Sequence, residues 1–187
     1  MQELALHIMD IVQNSIAAKA NLMYITIEEN IHYHTLLVEV CDDGIGMTAQ
    51  QVQLVTDPFY TTRTTRNIGL GVPLLKKQAE NTGGKIRVDS ALGKGTTVSA
   101  LFHTESMNML SLGDINAVIL LLITANPALD FVFERRVCKE NEIENKKSLV
   151  DTRELKQVLG EEISLSYPDV VLWLKNELKE MENDLET

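Results

Sequence analysis

At 187 residues, 44% apolar and 24% charged, the chain is long enough to bury a core and has the balance of a soluble globular protein. A formal charge of −10 argues against nucleic acid or an anionic membrane as the main partner. Cys41 and Cys138 are too few and too far apart for a disulfide framework or a cysteine metal site. The longest apolar run, Ala117 to Ala125, is far short of the roughly 20 residues that span a bilayer. With no charged-then-apolar leader at the start, the reading is a cytoplasmic protein.

From Gln2 to about Ala18, Leu4, Ile8, Ile11, Val12 and Ile16 recur at helical spacing. Leu22 to Glu29 and Leu36 to Cys41 alternate as strands, with Asn30–His34 as a polar hairpin connection. The second strand runs into Asp42-Asp43-Gly44-Ile45-Gly46-Met47, an acidic pair on two glycines where the backbone must bend tightly. Thr48 is a good N-cap for a short helix to about Leu54. Residues 55–68 lack periodicity and carry Asp57-Pro58 and a hydroxyl and arginine run, Thr61-Thr62-Arg63-Thr64-Thr65-Arg66. Loops of that length in compact domains tend to be functional.

Gly69-Leu70-Gly71 then opens a helix, with Pro73 in its first turn and Gly83-Gly84 at its end. Lys85–Ser90 and Thr96–His103 are strands joined by a glycine turn at 91–95. Adjacent strands on short turns make antiparallel hairpins, so residues 1–104 predict a two-layer α/β sandwich with helices on one face. Residues 105–113 read as a linker. Beyond them, 114–187 form a small acidic α/β segment: a helix capped by Asp114, a strand over Leu129–Val137, a charged loop over Lys139–Lys147, and helices from Asp151 and Pro168. Asp151–Thr187 holds ten acidic and four basic residues, so much of the net charge sits there. Trp173 lies on a stripe with Val170, Val171, Leu174 and Leu178, which predicts core packing.

Four pieces of the first module suit one chemistry. Asp10 and Asn14 are four apart, so they share a helical face where a carboxylate and an amide oxygen can orient water and ligate Mg²⁺. Solvent exposure alone accounts for that pair as simply. The glycine turn is the second piece, the Thr/Arg loop the third, and Gly69-Leu70-Gly71 the fourth. A glycine-rich helix start offers free N–H groups and a positive dipole end, which suits phosphate. The P-loop spacing and the third glycine of a dinucleotide fingerprint are both absent. His7 lies on the same face as Asp10, where a surface or packed histidine is the plainer reading.

In this order the motifs resemble the GHKL superfamily, the ATP-binding fold of DNA gyrase, Hsp90, histidine kinases and MutL proteins. Asp10-Ile11-Val12-Gln13-Asn14-Ser15 resembles its N box, and Asp42-Asp43-Gly44-Ile45-Gly46 its first glycine box. Asp57-Pro58-Phe59-Tyr60-Thr61-Thr62 is similar to the F box of histidine kinases, Gly69-Leu70-Gly71 to the second glycine box, and Gly93-Lys94-Gly95-Thr96 to the closing glycine-threonine turn. The resemblance covers about residues 1–103. It implies the Bergerat ATP-binding fold, a mixed, mostly antiparallel sheet with ATP and Mg²⁺ as cofactors.

By the same resemblance Asn14 holds Mg²⁺ and phosphate oxygens, and Asp10 takes the position of the general-base or water-orienting carboxylate, usually Glu. Asp42 accepts a hydrogen bond from the adenine amino group, Gly44 and Gly46 let the backbone approach the base, and Met47 packs near it. Thr61, Thr62 and Arg63 belong to a lid, with Arg63 pairing to a phosphate. Gly69, Leu70 and Gly71 wrap the phosphates, and Thr96 supports adenine through a water. The phosphoacceptor pattern of histidine kinases is not seen around His7, and Ala17 replaces their N-box lysine. The expectation is a kinase-type ATP-binding regulator acting on a separate protein partner, with no nucleic acid or membrane partner. An ATP-gated switch that hydrolyses slowly and forms a homodimer, and a nucleotide sensor without chemistry, are the alternatives.

Overall fold

The computed structural model describes residues 3–57, 71–139, 146–160 and 162–186. The elements in order are α1 (Leu4–Ala17), β1 (Leu22–Asn30), β2 (Thr35–Asp42), α2 (Ala49–Leu54), α3 (Gly71–Asn81), β3 (Lys85–Ser90), β4 (Thr96–His103), α4 (Ile115–Ala125), β5 (Asp130–Cys138), β6 (Lys146–Asp151), α5 (Thr152–Leu159) and α6 (Pro168–Glu186). The six strands form one sheet in the order β3-β4-β2-β1-β5-β6. Every pair is antiparallel except β1 with β5. The mixed, mostly antiparallel sheet that the resemblance implies is the observed one.

Alternation decides which face is covered. On β2, Leu36, Val38, Val40 and Asp42 are buried while the residues between them are half-buried. Their neighbours Met23, Ile25 and Ile27 on β1, Val98, Ala100 and Phe102 on β4, and Phe131 and Phe133 on β5 join the same core. Helices α1, α3, α4 and α6 supply its other layer through Leu4, Ile8, Leu75, Ile119 and Leu174. The opposite sheet face is polar and pairs across strands: Ser99 Oγ donates to Glu39 at 2.6 Å, and Lys147 meets Glu134 at 3.0 Å.

The caps explain where the helices start. Thr48 and Gln51 form a reciprocal capping box on α2. Asp114 caps α4 by accepting from the Ala117 amide at 2.9 Å. The C-terminal α/β segment continues the sheet at β1, where Leu22–Asn30 pairs with Asp130–Cys138. Residues 105–113 run beside α1, with the Leu4 and Ala5 amides donating to the Ser111 and Leu112 carbonyls.

Two expectations need correction. Lys146 and Lys147 lie in β6, not in a loop; that strand reads Lys-Lys-Ser-Leu-Val-Asp, and its pairing to β5 is what makes it extended. On α6, Val170, Leu174 and Leu178 are buried as expected, but Trp173 is 46% exposed because the stripe that faces the core continues through Met181 and Leu185 instead.

Candidate ATP-binding site

The site is built where β2 ends against the last turns of α1. Asp42 is the last residue of β2, and parity turns it to the helix face, where it is 7% exposed. One carboxylate oxygen accepts from Ser15 Oγ at 2.6 Å, and the other from the Gly44 amide at 2.9 Å. A carboxylate offers about four acceptor positions, so capacity remains for a further donor such as an amino group. Asp43 points outward and serves structure: Oδ1 accepts from the Asn21 and Leu22 amides at 2.7 and 3.0 Å, which anchors the start of β1.

The turn after Asp42 is held from both sides. The Ile45 amide donates to the Ala18 carbonyl at 2.9 Å, and the Ile45 carbonyl accepts from the Gly93 amide at 2.8 Å. Gly46 has φ +66°, and a Cβ there would lie 2.0 Å from the Ala91 carbonyl oxygen, so only glycine fits. Met47, half-buried, donates its amide to Ser90 Oγ at 2.8 Å. Thr96 begins β4 beside Asp42 and lies 3.0 Å from the same Ser90 hydroxyl. Asp42, Gly44, Gly46, Met47 and Thr96 are thus brought together in one corner.

The other end of the site lies along α1. Asn14 is half-buried and Asp10 exposed, one turn apart. Gly71, the first residue of α3, is buried against Asp10, and a Cβ there would come within 2.8 Å of the Asp10 Cβ. Glycine therefore permits the start of α3 to touch α1 at Asp10. His7 lies one turn before Asp10 and is 5% exposed; burial lowers its pKa, against the pull of the Asp10 charge. Thr61, Thr62, Arg63, Gly69 and Leu70 lie outside the described residues. Among the described residues no group of three or more His, Cys, Asp or Glu can hold a metal ion. Ser15 and Ser90 are the hydroxyls of this corner to which sequence reasoning gave no role. The one available signal was Ser15 itself, a polar residue on the inward stripe of α1.

Residues 2–106 match the family described as histidine kinase-, DNA gyrase B-, and HSP90-like ATPase. The chain belongs to this family. Within it, Sporulation kinase B of Bacillus subtilis (strain 168) is 32% identical over 95 residues, 49% of this chain and 22% of that protein. Sensor histidine kinase WalK of the same strain is 37% identical over 79 residues, 40% of this chain and 13% of that protein. The chain thus aligns with about a fifth or less of the length of these kinases, and it is an ATP-binding, histidine-kinase-like module. The crystal structure of the N terminal domain of a DNA repair protein has the same fold, with a TM-score of 0.56 at 18% identity. That likeness covers 86% of this chain and 58% of the other, so it extends past residue 106 into the C-terminal strands and helices. Among the described residues no helix is long and apolar enough to cross a membrane.

Proposed function

We propose that the protein binds Mg·ATP between α1 and the glycine turns and acts as a protein kinase on a separate partner, which residues 114–187 help to select. The observation that carries this reading is the seating of Gly71 against Asp10, on the same helix whose Ser15 holds Asp42. From Ser15 to Asp10 the helix rises about 7.5 Å. One helix therefore runs from the base-recognising carboxylate, past Asn14, to a second carboxylate beside a glycine-rich helix start.

The residues fit a magnesium nucleotide. Mg²⁺ demands oxygen ligands and keeps several waters when nucleotide phosphates supply part of its shell. One amide oxygen from Asn14 then suffices, and no acidic cluster is required. Mg·ATP when bound supplies an electrophilic γ-phosphoryl group with its charge shielded. Asn14 would orient the phosphate end, the backbone amides at the start of α3 would attract its oxygens, and Asp10 would accept the proton of the attacking group. Catalysis is chiefly positioning and electrostatics.

The test incubates the protein with γ-labelled ATP and Mg²⁺, alone and with host lysate, and follows label on protein and as free phosphate. Label on another protein is the expected result, lost in Asp10→Asn while ATP binding persists. An Asp42→Asn variant that binds ATP as tightly as the parent sinks the placement of the base. A second reading, the ATP-gated switch, draws support from α4, which packs on α1 and belongs to the segment that continues the sheet. Phosphate release with nucleotide-dependent dimerisation, and no labelled acceptor, selects it.

A further inference from the structure

Three strands meet at one rung beneath the glycine turns. Asp42 of β2 faces Thr96 of β4, and Thr96 faces Ser90 of β3. Ser90 Oγ is engaged three times. It accepts from the Met47 amide at 2.8 Å, donates to the Gly95 carbonyl at 2.7 Å, and lies 3.0 Å from Thr96 Oγ1. A hydroxyl has one proton and two lone pairs, and a carbonyl only accepts. The Ser90 proton is therefore taken up by Gly95, and the remaining contact requires Thr96 to donate to Ser90. With its proton so placed, the Thr96 hydroxyl offers nothing but lone pairs to any other neighbour.

We propose that Ser90 is a positioning residue for base selection: by taking the Thr96 proton it makes Thr96 a second acceptor on the rung of the Asp42 carboxylate. Adenine carries an amino donor at its 6 position, whereas hypoxanthine carries a carbonyl acceptor there. Two acceptors side by side attract the amino group by direct contact and oppose the carbonyl. The same hydroxyl ties the Gly46–Met47 turn to the Gly95–Thr96 turn, so the two groups that would meet the base share one anchor. This inference rests on the reading that Asp42 meets the base.

The experiment titrates the full chain with ATP and with inosine triphosphate, which differs at the 6 position and N1 and lacks the 2-amino group of guanine. The parent favours ATP. Ser90→Ala frees the Thr96 hydroxyl to donate, and the ATP preference falls about tenfold, the scale of one hydrogen bond to a desolvated group. Ser90→Thr retains the hydroxyl and restores the parent ratio. In a Thr96→Val background, Ser90→Ala changes the ratio no further, because the two act through one bond. If Ser90→Ala does not fold, Ser90→Cys keeps the shape with a weak donor and acceptor and shows the same fall.

A folded Ser90→Ala or Ser90→Cys variant with the parent ratio overturns the proposal, as does a fall that is as large without the Thr96 hydroxyl as with it. A parent that binds neither nucleotide removes the ATP-binding reading itself. A parent that loses ATP on Asp42→Asn but keeps its ratio on Ser90→Ala removes the role of Ser90 alone.

Discussion

Gly46 and Gly93 form a matched pair, because both have positive φ, +66° and +72°, in turns that touch. A Cβ on Gly93 would meet nothing within 4 Å, whereas one on Gly46 would lie 2.0 Å from the Ala91 oxygen. Gly93→Ala therefore meets only the left-handed backbone, about 1–2 kcal/mol. Gly46→Ala meets the same cost and also drives the turns apart, by roughly 1.4 Å to reach the 3.4 Å of ordinary contact. That displacement breaks the Gly93 amide to Ile45 carbonyl bond and the Met47 amide to Ser90 bond, both 2.8 Å. At about 1 kcal/mol net each, the pair adds about 2 kcal/mol. Urea unfolding of the two variants should show that gap, and Gly46→Ala should also bind ATP more weakly while Gly93→Ala binds as the parent does. Equal destabilisation of the two variants would refute the argument, since it would mean the turns part without loss.

Three further outcomes follow from burial. Burial lowers the pKa of His7 in the folded chain, while the unfolded side chain titrates near 6.5. Below about pH 6.5 the unfolded chain takes up this proton first, so stability falls on acidification at up to about 1.4 kcal/mol per pH unit until the folded group titrates. His7→Leu flattens that range in pH-dependent melts and leaves the more acidic loss due to Asp151, whose pKa is held below 3.8 by hydrogen bonds from Arg153. Thr152, fully buried, accepts the Phe131 amide at 2.8 Å, so Thr152→Val leaves a buried donor unpaired and costs about 1–3 kcal/mol of unfolding free energy. Leu174→Ala, at a fully buried position, costs about 2–5 kcal/mol, whereas Trp173→Ala costs well under that; comparable losses at the two sites would mean that Trp173 packs as core.

The hairpins were legible because they are local. β1 with β2 and β3 with β4 alternate over short turns, and their partners lie a few residues away. β6 was not legible for the opposite reason. Its Lys-Lys-Ser start carries no apolar signal, and its extension depends on β5, which in turn depends on β1 about a hundred residues earlier in the chain. A parallel partner so distant leaves no trace in a window of sequence. Trp173 was misplaced for a related reason: a helix with apolar residues on two faces does not declare which one the sheet will cover.

The site divides in the same way. Gly44, Gly46 and Gly71 stand out because a close backbone approach restricts the residue type at the position itself. Ser15 and Ser90 act only through rung and helix neighbours, so their roles require the register. Yet α1 carried one legible mark. Its inward stripe of Leu4, Ile8, Ile11 and Val12 is interrupted by His7 and Ser15, both at most 5% exposed. An apolar residue at either place avoids the cost of burying a polar group without a partner, roughly 1–3 kcal/mol on the scale of mutational data. Ser15 offsets that cost through Asp42, and His7 sits one turn below Asp10. Polar interruptions of an otherwise apolar stripe thus fall beside Asp42 and beside Asp10, the two ends of the proposed nucleotide path.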